Sequence, residues 1–237
     1  MYGGGLGFDE PRVLTNFVQT IDGVVAIPDV ERSNALVSGE SEADRFVMGL
    51  LRACADVVVV GAGTLRASPK GTWQADRVYP PAADAFAELR RARGRPEHSE
   101  VAIITTGSSL DRTHPVLADA LLLTTARGAK KLAGAAREVV AVNDGERVDL
   151  RAAIALLHER GHSLILSEGG PHLFGGLLVA KCVDELFLTV SPLLAGRDVA
   201  DRLALVEGAE LLPDAAEAAE LLSVRGHSDH LFLRYRL

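Results

Sequence analysis

The sequence predicts an α/β fold in which helices flank one mainly parallel sheet, with antiparallel strands at the C-terminal edge of that sheet. Apolar strand candidates alternate with helical segments from residue 56 to about residue 180. After residue 184 the strand candidates follow one another at hairpin-like spacing. No internal repeat or low-complexity linker divides the chain, so we expect one domain over residues 1–237, with residues 1–11 as a flexible N-terminal segment.

The first quarter of the chain supplies the first strands and a helix. Arg12–Thr20 is rich in β-formers and runs into the turn signal Asp22-Gly23, which predicts a strand followed by a short second strand at Val24–Ile27. Ser41–Ala53 is expected to be a helix, because its serine suits an N-cap and acidic residues in a first turn suit the helix dipole. Asp56–Val60 is a continuous β-branched run, which is typical of a strand buried on both faces.

The remainder of the chain continues the alternation of helix and strand. Residues 67–81 contain three prolines and are expected to be irregular. The expected helices are Ala82–Arg93, Leu150–Arg160 and a segment from Pro171 to about Ala180. The expected strands are Val101–Thr105, Leu121–Thr125, Val139–Val142, Ser163–Ser167, Glu185–Val190, Leu203–Val206, Ala219–Val224 and Leu231–Tyr235.

Composition excludes several function classes. A formal net charge of −7 argues against non-specific nucleic-acid binding, which depends on clustered Lys and Arg. No apolar run approaches the ~20 residues that cross a bilayer, and the N-terminus lacks a signal-peptide pattern, so we expect no membrane contact and a cytoplasmic protein. Cys54 and Cys182 are expected to be free thiols, with a disulfide between them as the alternative. His227 and His230 lack a third ligand, so we expect a solvated turn there and no metal site.

Two glycine-rich turns follow buried strand candidates, at residues 61–64 and 168–171. Glycine lets a backbone approach a ligand closely, and a helix N-terminus offers free N–H groups to a phosphate. Arg66 and Ala67 stand where a Rossmann fingerprint would have its third glycine, and no P-loop lysine follows. The pair of turns therefore indicates a dinucleotide bound on a different fold, and the alternative is that both are ordinary tight turns.

Three polar side chains are candidates for substrate contact. Glu168 ends an apolar strand, where it could accept hydrogen bonds from a substrate or, alternatively, cap the following backbone amides. Arg52 lies in an apolar helical segment, as either a phosphate clamp or a snorkelling surface residue. Ser38, in the loop before that helix, could add a hydroxyl donor.

The order of these motifs resembles the C-terminal reductase domain of bifunctional riboflavin-biosynthesis deaminase-reductases, which has a dihydrofolate-reductase-like fold. The resemblance covers about residues 12–237, and no zinc-deaminase signature is present, so a stand-alone reductase is expected. The segments that carry it are Thr20–Gly23, Leu51–Ala53, Asp56–Arg66, Ser167–Pro171, Val183–Leu186, Ser191–Gly196 and Leu231–Tyr235.

The resemblance implies that NADPH reduces the ribosylamino group of a 5-amino-6-(5-phosphoribosylamino)uracil-like pyrimidine to ribitylamino. It implies substrate contacts from Arg52 and Glu168, beside the hydroxyl expected from Ser38, with Arg52 reaching the phosphate and Glu168 as the one candidate for a catalytic role. It also implies a homodimer, by analogy. The cofactor-binding residues that it implies are Val18, Gly61, Gly63, Thr64, Arg66, Thr106, Gly169, Gly170, Pro171, His172, Leu173, Phe174, Gly175 and Gly176.

One departure from the family pattern affects the substrate. Ser68-Pro69 stands where the family often has an acidic residue before proline, and Lys70 or Arg77 would have to serve as the downstream basic residue. Two alternatives therefore stay open beside the riboflavin-pathway reductase. One is a reductase of dihydrofolate or another pteridine on the same fold, and the other is a non-catalytic NADPH-binding protein.

Overall fold

A computed structural model describes Phe8, residues 11–215 and residues 218–237. The expected flexible segment lies outside these described residues except for Phe8 and Pro11, and Phe8 is buried against Phe187 at a ring-centroid distance of 6.4 Å. The strands of the described residues are β1 Arg12–Gln19, β2 Val57–Gly61, β3 Glu100–Ile104, β4 Leu121–Thr125, β5 Glu138–Asn143, β6 Leu164–Ser167, β7 Glu185–Val190, β8 Glu220–His227 and β9 His230–Arg236.

These strands form one sheet in the order β5-β4-β3-β2-β6-β1-β7-β9-β8. The strands from β5 to β7 are parallel, whereas β9 pairs antiparallel with both β7 and β8. The expected α/β class, with a mainly parallel sheet and an antiparallel C-terminal edge, is therefore confirmed. Because parallel strands end at the same edge, the segments after β2, β3, β4 and β6 meet on one side of the molecule.

Helices cover both faces of the sheet. They are α1 Ser33–Val37, α2 Glu42–Cys54, α3 Ala62–Ala67, α4 Ala75–Val78, α5 Ala83–Ala92, α6 Ala126–Leu132, α7 Leu150–Glu159 and α8 Pro171–Val179. Val58 and Val60 of β2 join the apolar cluster that contains α2, while Val57 and Val59 join the cluster that contains α7 and α8. The β-branched run of β2 is thus buried on both faces, as its composition predicts.

Helix α2 is fixed at both of its ends. Ser41 is its N-cap, as predicted, and the serine hydroxyl accepts a hydrogen bond from the Asp44 amide at 3.3 Å. At the other end Arg90 of α5 donates from Nη1 to the carbonyls of Ala53 and Ala55, at 3.1 and 2.7 Å. Burial of Arg90 lowers the pKa of its guanidinium. These contacts satisfy backbone groups that a helix C-terminus leaves unpaired, and they hold the turn that carries Arg52.

The predicted strands Val24–Ile27 and Leu203–Val206 are wrong. Only one isolated bridge forms, between Ala26 and Leu203, with the Leu203 amide donating to the Ala26 carbonyl at 2.9 Å. The reason is the position of β1, which has β6 on one side and β7 on the other. The segment that follows β1 therefore finds no free edge to pair with and crosses the sheet end as a loop.

Four short helices were absent from the sequence prediction, and α3, which forms where a glycine turn was expected, is one of them. Residues 67–81 are not wholly irregular, because α4 forms within them, and α1 and α6 were also missed. Helix α6 contains Gly128, which disfavours a helix by itself. A Cβ at Gly128 would lie 2.0 Å from Thr124 Oγ1, so close packing requires a glycine there.

The histidine and cysteine predictions have mixed outcomes. His227 is exposed as expected, but His230 is buried, with Nε2 lying 2.9 Å from the Ser38 carbonyl oxygen, so the solvated-turn interpretation is wrong for that residue. Cys54 and Cys182 are free thiols. No described helix combines the length and the apolar character needed to span a membrane.

Candidate active site

The ends of β2 and β6 lie side by side and lead into two helices. The prediction of a glycine turn after β2 is wrong, because the segment is helical. Gly61 is the N-cap of α3, and Gly63 and Thr64 lie in that helix. After β6 the chain passes through residues 168–170 into α8, whose N-cap is Gly170. The Thr64 hydroxyl accepts a hydrogen bond from the Gly170 amide at 3.1 Å, which ties the two helix starts together.

The two glycines before α8 serve different purposes. A Cβ on Gly169 would lie 2.4 Å from Leu173 Cδ2, so this glycine is required for packing within the protein. Gly170 has an ordinary φ of −68°, and its nearest neighbour for an added Cβ is Thr64 Oγ1 at 3.8 Å. The open space beside Gly170 suits a ligand that approaches the N-terminus of α8.

The other α8 residues that were predicted to bind the cofactor fall into two groups. Some lie at the start of the helix on the sheet edge, and the others pack in the protein core. Pro171 occupies the first helical position, and His172 beside it is exposed at the sheet edge. Phe174 is buried against Phe17, with ring centroids 5.1 Å apart. Added Cβ atoms would meet the Glu207 carbonyl oxygen at 2.3 Å from Gly175 and Leu150 Cδ1 at 2.7 Å from Gly176. The structure thus gives these last three residues a packing role, and their contact with a cofactor stays a prediction.

Arg52 and Glu168 form a two-pronged ion pair between α2 and the end of β6. Arg52 Nε donates to Oε1 at 2.9 Å, and Nη2 donates to Oε2 at 2.6 Å. The two side chains are 10% and 8% exposed. Arg52 Nη1 also reaches the Gln74 carbonyl at 3.3 Å. This geometry excludes both simpler alternatives, because Arg52 is not a surface residue and the carboxylate of Glu168 does not cap α8.

The pairing changes the expected division of roles. The fork of Arg52 that would clamp a phosphate is engaged by Glu168, so the guanidinium acts first on the carboxylate. Each carboxylate oxygen keeps a further acceptor site, which suits Glu168 to receive N–H donors from a ligand. A phosphate contact by Arg52 stays a prediction.

Two further polar groups stand on the α2 side of the sheet near this pair, and neither was among the sequence candidates. Asn16 lies two residues beyond Leu14, which is in register with Leu166 of β6, and its buried Oδ1 has no hydrogen-bond partner among the described residues. Asp44 is buried in the first turn of α2, and burial raises its pKa to about 6. The like charge of Glu168 acts in the same direction, whereas Thr189 and His230 oppose it.

The periodicity of side chains along a strand and along a helix could have identified both Asn16 and Asp44 from the sequence. Side chains alternate along a strand, so Asn16 and Val18 share the face that carries Leu14. Asp44 precedes Arg52 by about two helical turns. What the sequence could not supply was the pairing of β1 with β6, which brings the two elements together.

The other residues predicted to contact the substrate or the cofactor lie outside the Arg52–Glu168 pair. Val18 is buried near the end of β1, the strand next to β6. Ser38 is also buried, and its hydroxyl donates to the Ala35 carbonyl at 3.0 Å. Arg66 runs along the surface to the Ser109 carbonyl, which it meets at 2.9 Å. Thr106 is exposed after β3.

Ser68, Lys70 and Arg77, which belong to the segment that departs from the family pattern, make their contacts away from the Arg52–Glu168 pair. The Ser68 carbonyl lies 2.9 Å from His114 Nε2. Lys70 is exposed, and Arg77 is an exposed residue that pairs with Asp76 at 3.4 Å. Neither basic side chain is placed by the structure against Arg52 or Glu168.

Known proteins with related sequences are reductases. The reductase of 2,5-diamino-6-ribosylamino-4(3H)-pyrimidinone 5′-phosphate from Archaeoglobus fulgidus is 29% identical over 198 residues, which cover 79% of this chain and 84% of the relative. The reductase of the same name from Methanothermobacter thermautotrophicus is 28% identical over 215 residues, covering 86% of this chain and 88% of the relative.

Comparisons of structure and of family agree with these relatives. A pyrimidine reductase-like protein from Corynebacterium diphtheriae shares the fold, with a TM-score of 0.73 at 20% identity over 99% of this chain and 95% of that one. The model of the RibD C-terminal domain family matches residues 11–215, which include the Arg52–Glu168 pair and both helix starts. The resemblance inferred from the motifs is therefore confirmed, and the chain belongs to the RibD C-terminal domain family.

Proposed function

We propose that this protein is an NADPH-dependent reductase of riboflavin biosynthesis that converts the ribosylamino group of a phosphorylated aminopyrimidine into ribitylamino. The observation that carries the proposal is the Arg52–Glu168 pair, which presents a fixed carboxylate directly before the N-terminus of α8. The family assignment and the names of the two archaeal relatives support the same reaction class.

The residues present fit a nicotinamide cofactor. The open space beside Gly170 and the positive end of α8 suit a pyrophosphate, with the His172 side of the first turn facing outward. Gly61 ends β2, Thr64 follows it in α3, and Val18 lies near the end of β1 on the other side of β6; these residues would line the same groove. The cofactor, when bound, supplies the hydride.

The substrate side is defined by acceptors of hydrogen bonds. Glu168 and Asn16 Oδ1, which has no hydrogen-bond partner among the described residues, lie on the α2 side of the sheet, and an aminopyrimidine carries N–H donors that match them. We propose that Glu168 orients the pyrimidine and that Arg52 holds Glu168 in place. Because both oxygens of Glu168 already accept hydrogen bonds from Arg52, the residue is better suited to positioning than to proton donation.

Two phosphorylated pyrimidines must be distinguished. The archaeal relatives are named for a 2,5-diaminopyrimidinone, whereas the motifs resemble enzymes that act on the deaminated 5-aminouracil. The two differ at ring position 2, which carries an N–H donor in the first and a carbonyl acceptor in the second. The acceptor-rich lining formed by Glu168 and Asn16 favours the diamino compound.

The test is oxidation of NADPH, followed by loss of absorbance, with both pyrimidine phosphates and with dihydrofolate. We expect turnover of a ribosylaminopyrimidine phosphate and none of dihydrofolate. Turnover of dihydrofolate alone would assign the protein to the pteridine reductases. Tight NADPH binding without turnover of any of the three would mean a non-catalytic binding protein.

We further propose a cytoplasmic homodimer. The edge strand β8 and its neighbour β9 expose Leu221, Val224 and Leu231, which are 52%, 45% and 45% accessible. Large apolar side chains on a sheet edge favour association with a second copy. Light scattering of the purified protein measures the mass directly, and a monomer at micromolar concentration would contradict this proposal.

A further inference from the structure

Trp73 has a backbone conformation that bulky residues rarely adopt. It lies in the segment 68–74, which joins the C-cap of α3 to the N-cap of α4, and its φ is +54°. This left-handed region crowds Cβ against the backbone, so it is costly for every residue except glycine. The other described non-glycine residues with positive φ are all polar and exposed: Asp29, Arg32, Glu40, Lys181, Ser228 and Asp229. A buried tryptophan in this conformation therefore needs an explanation of its own.

The surroundings of the indole hold Trp73 in this conformation. Trp73 is 4% exposed, and its ring packs against His114 with centroids 5.7 Å apart. The His114 ring is itself fixed, because Nδ1 accepts a hydrogen bond from the Val116 amide at 3.3 Å and Nε2 lies 2.9 Å from the Ser68 carbonyl oxygen. Gly71 is also close, since an added Cβ there would lie 2.7 Å from the indole Cη2. Burial of the indole thus offsets the unfavourable φ.

The residue that follows Trp73 contacts the candidate active site. The Gln74 carbonyl accepts a hydrogen bond from Arg52 Nη1 at 3.3 Å, while the other two nitrogens of that guanidinium hold Glu168. The Gln74 side chain is engaged elsewhere, because its Nε2 donates to the Ser99 carbonyl at 3.4 Å. The backbone carbonyl is therefore the group through which Gln74 acts on Arg52. A change of sign of φ at Trp73 would redirect the chain after it and move this carbonyl.

We propose that Trp73 is a positioning residue for the reduction, because its buried indole fixes the left-handed backbone that sets the Gln74 carbonyl against Arg52. Arg52 in turn keeps the Glu168 carboxylate oriented toward the pyrimidine. The proposal rests on the proposed function, in which Glu168 orients the substrate. The effect of Trp73 on the reaction passes through Gln74 and Arg52, so it differs from that of a residue that only fills the core.

Alanine and glycine at position 73 separate positioning from packing. Both remove the indole and leave nearly the same cavity, but glycine adopts a positive φ without strain, whereas alanine does not. We expect kcat/KM for the ribosylaminopyrimidine phosphate to fall about 30-fold in Trp73→Ala and about threefold in Trp73→Gly, a ratio that matches the cost of one left-handed residue. If Trp73 only filled the core, alanine would be as good as glycine or better, because it retains more apolar volume.

A double-mutant cycle tests whether the effect passes through Arg52. Arg52→Lys removes the fork that the Gln74 carbonyl supports, so Trp73→Ala should lower kcat/KM by less than about twofold further in that background. NADPH affinity, measured by calorimetry, should stay within about twofold in every variant. Leu157→Ala, which removes buried apolar volume on the other face of the sheet, is the control. It should lower Tm and leave kcat/KM within about twofold of the wild type.

The Nε–H resonance of Arg52 reports the same geometry without any turnover. Assigned by its loss in Arg52→Lys, the resonance should shift in Trp73→Ala and stay near its wild-type position in Trp73→Gly. If Trp73→Ala fails to fold, Gly71→Ala takes its place, since the added Cβ would displace the indole without removing it. Gly71→Ala should then show the shifted resonance and the larger loss of kcat/KM.

The outcomes separate this proposal from the proposed function. Equal kcat/KM values for Trp73→Ala and Trp73→Gly overturn it, and so does a loss in the Arg52→Lys background as large as that in the wild type. Failure of the proposed function would appear as a wild-type protein that turns over no pyrimidine phosphate. In that case the Arg52 resonance decides: a shift in Trp73→Ala but not in Trp73→Gly supports the positioning of Arg52, and the same resonance position in both variants overturns it.

Discussion

The guanidinium of Arg52 meets the carboxylate of Glu168 through two hydrogen bonds of 2.9 and 2.6 Å, although 116 residues separate them in the chain. The first residue belongs to the last turn of α2 and the second ends β6, so the pair closes the space between a helix and the sheet edge. Both side chains are almost fully buried. Removing one partner would therefore leave the other as an uncompensated charge.

Replacement of Arg52 by alanine should damage stability as well as catalysis. We expect the free energy of unfolding to fall by about 3–5 kcal/mol, because Glu168 loses its partner in a buried position. Urea unfolding measures this loss. Arg45→Ala, which removes a more exposed arginine from the same helix, should change stability by less than about 0.5 kcal/mol.

Arg52→Lys separates charge from geometry. Lysine keeps the positive charge but not the fork that holds both carboxylate oxygens. We expect kcat/KM for the pyrimidine to fall at least about 10-fold while NADPH affinity, measured by calorimetry, stays the same. Equal kcat/KM values for Arg52→Lys and the wild type would show that the orientation of Glu168 is not important for the reaction.

The two glycines before α8 should respond differently to substitution. Gly169→Ala should destabilise the fold by about 1–3 kcal/mol, since the new Cβ would meet Leu173 Cδ2 at 2.4 Å. Gly170→Val should leave thermal stability nearly unchanged and abolish the rise in Tm that NADPH produces, because only ligand space is filled. A full NADPH-dependent rise in Gly170→Val would mean that the turn does not contact the cofactor.

Stability should depend on pH through Asp44. Its pKa rises from 3.8 to about 6 on burial, so the folded state holds a proton that the unfolded chain releases between these values. The stability that this proton provides is complete below pH 3.8 and is lost as the pH rises through about 6. The shift corresponds to roughly 3 kcal/mol, and His230, Glu168 and Arg45 are the charged groups that act on it.

Asp44→Asn tests this dependence. The variant should be more stable than the wild type above pH 6, by up to roughly 3 kcal/mol, and equal to it near pH 4, as measured by urea unfolding across that range. Asp84→Asn changes an exposed aspartate in the first turn of α5 and should show no such difference. A stability gap that stays constant with pH would contradict the expectation.

The cap on α2 should matter for the whole domain. Arg90→Met keeps much of the apolar volume but removes the Arg90 donor from the Ala53 carbonyl and leaves the Ala55 carbonyl with the Ser99 hydroxyl at 3.1 Å. We expect a loss of about 2–4 kcal/mol, as unsatisfied buried groups imply. Arg91→Met alters the exposed neighbour and should cost less than about 0.5 kcal/mol. Equal unfolding midpoints for the two variants would contradict a capping role.

Much of the fold follows from local patterns in the sequence. The β-branched run of β2 predicts a strand buried on both faces, and Ser41 predicts the start of α2, because both signals act within a few residues. The residue before α8 could likewise be identified as a helix start from its glycines and Pro171. The family resemblance, carried by the order of such motifs, added the reaction class.

The tertiary structure decided everything that depends on which elements are neighbours. Only the placement of β1 between β6 and β7 shows that Val24–Ile27 has no edge to pair with, and that Asn16 lies on the same side as Glu168. Only the packing of α2 on the sheet turns Arg52 and Glu168 from two candidate ligand contacts into one ion pair. Local sequence determines helices and strands through short-range hydrogen bonding and periodicity, whereas a buried charge takes its partner from whatever the folded chain brings within reach.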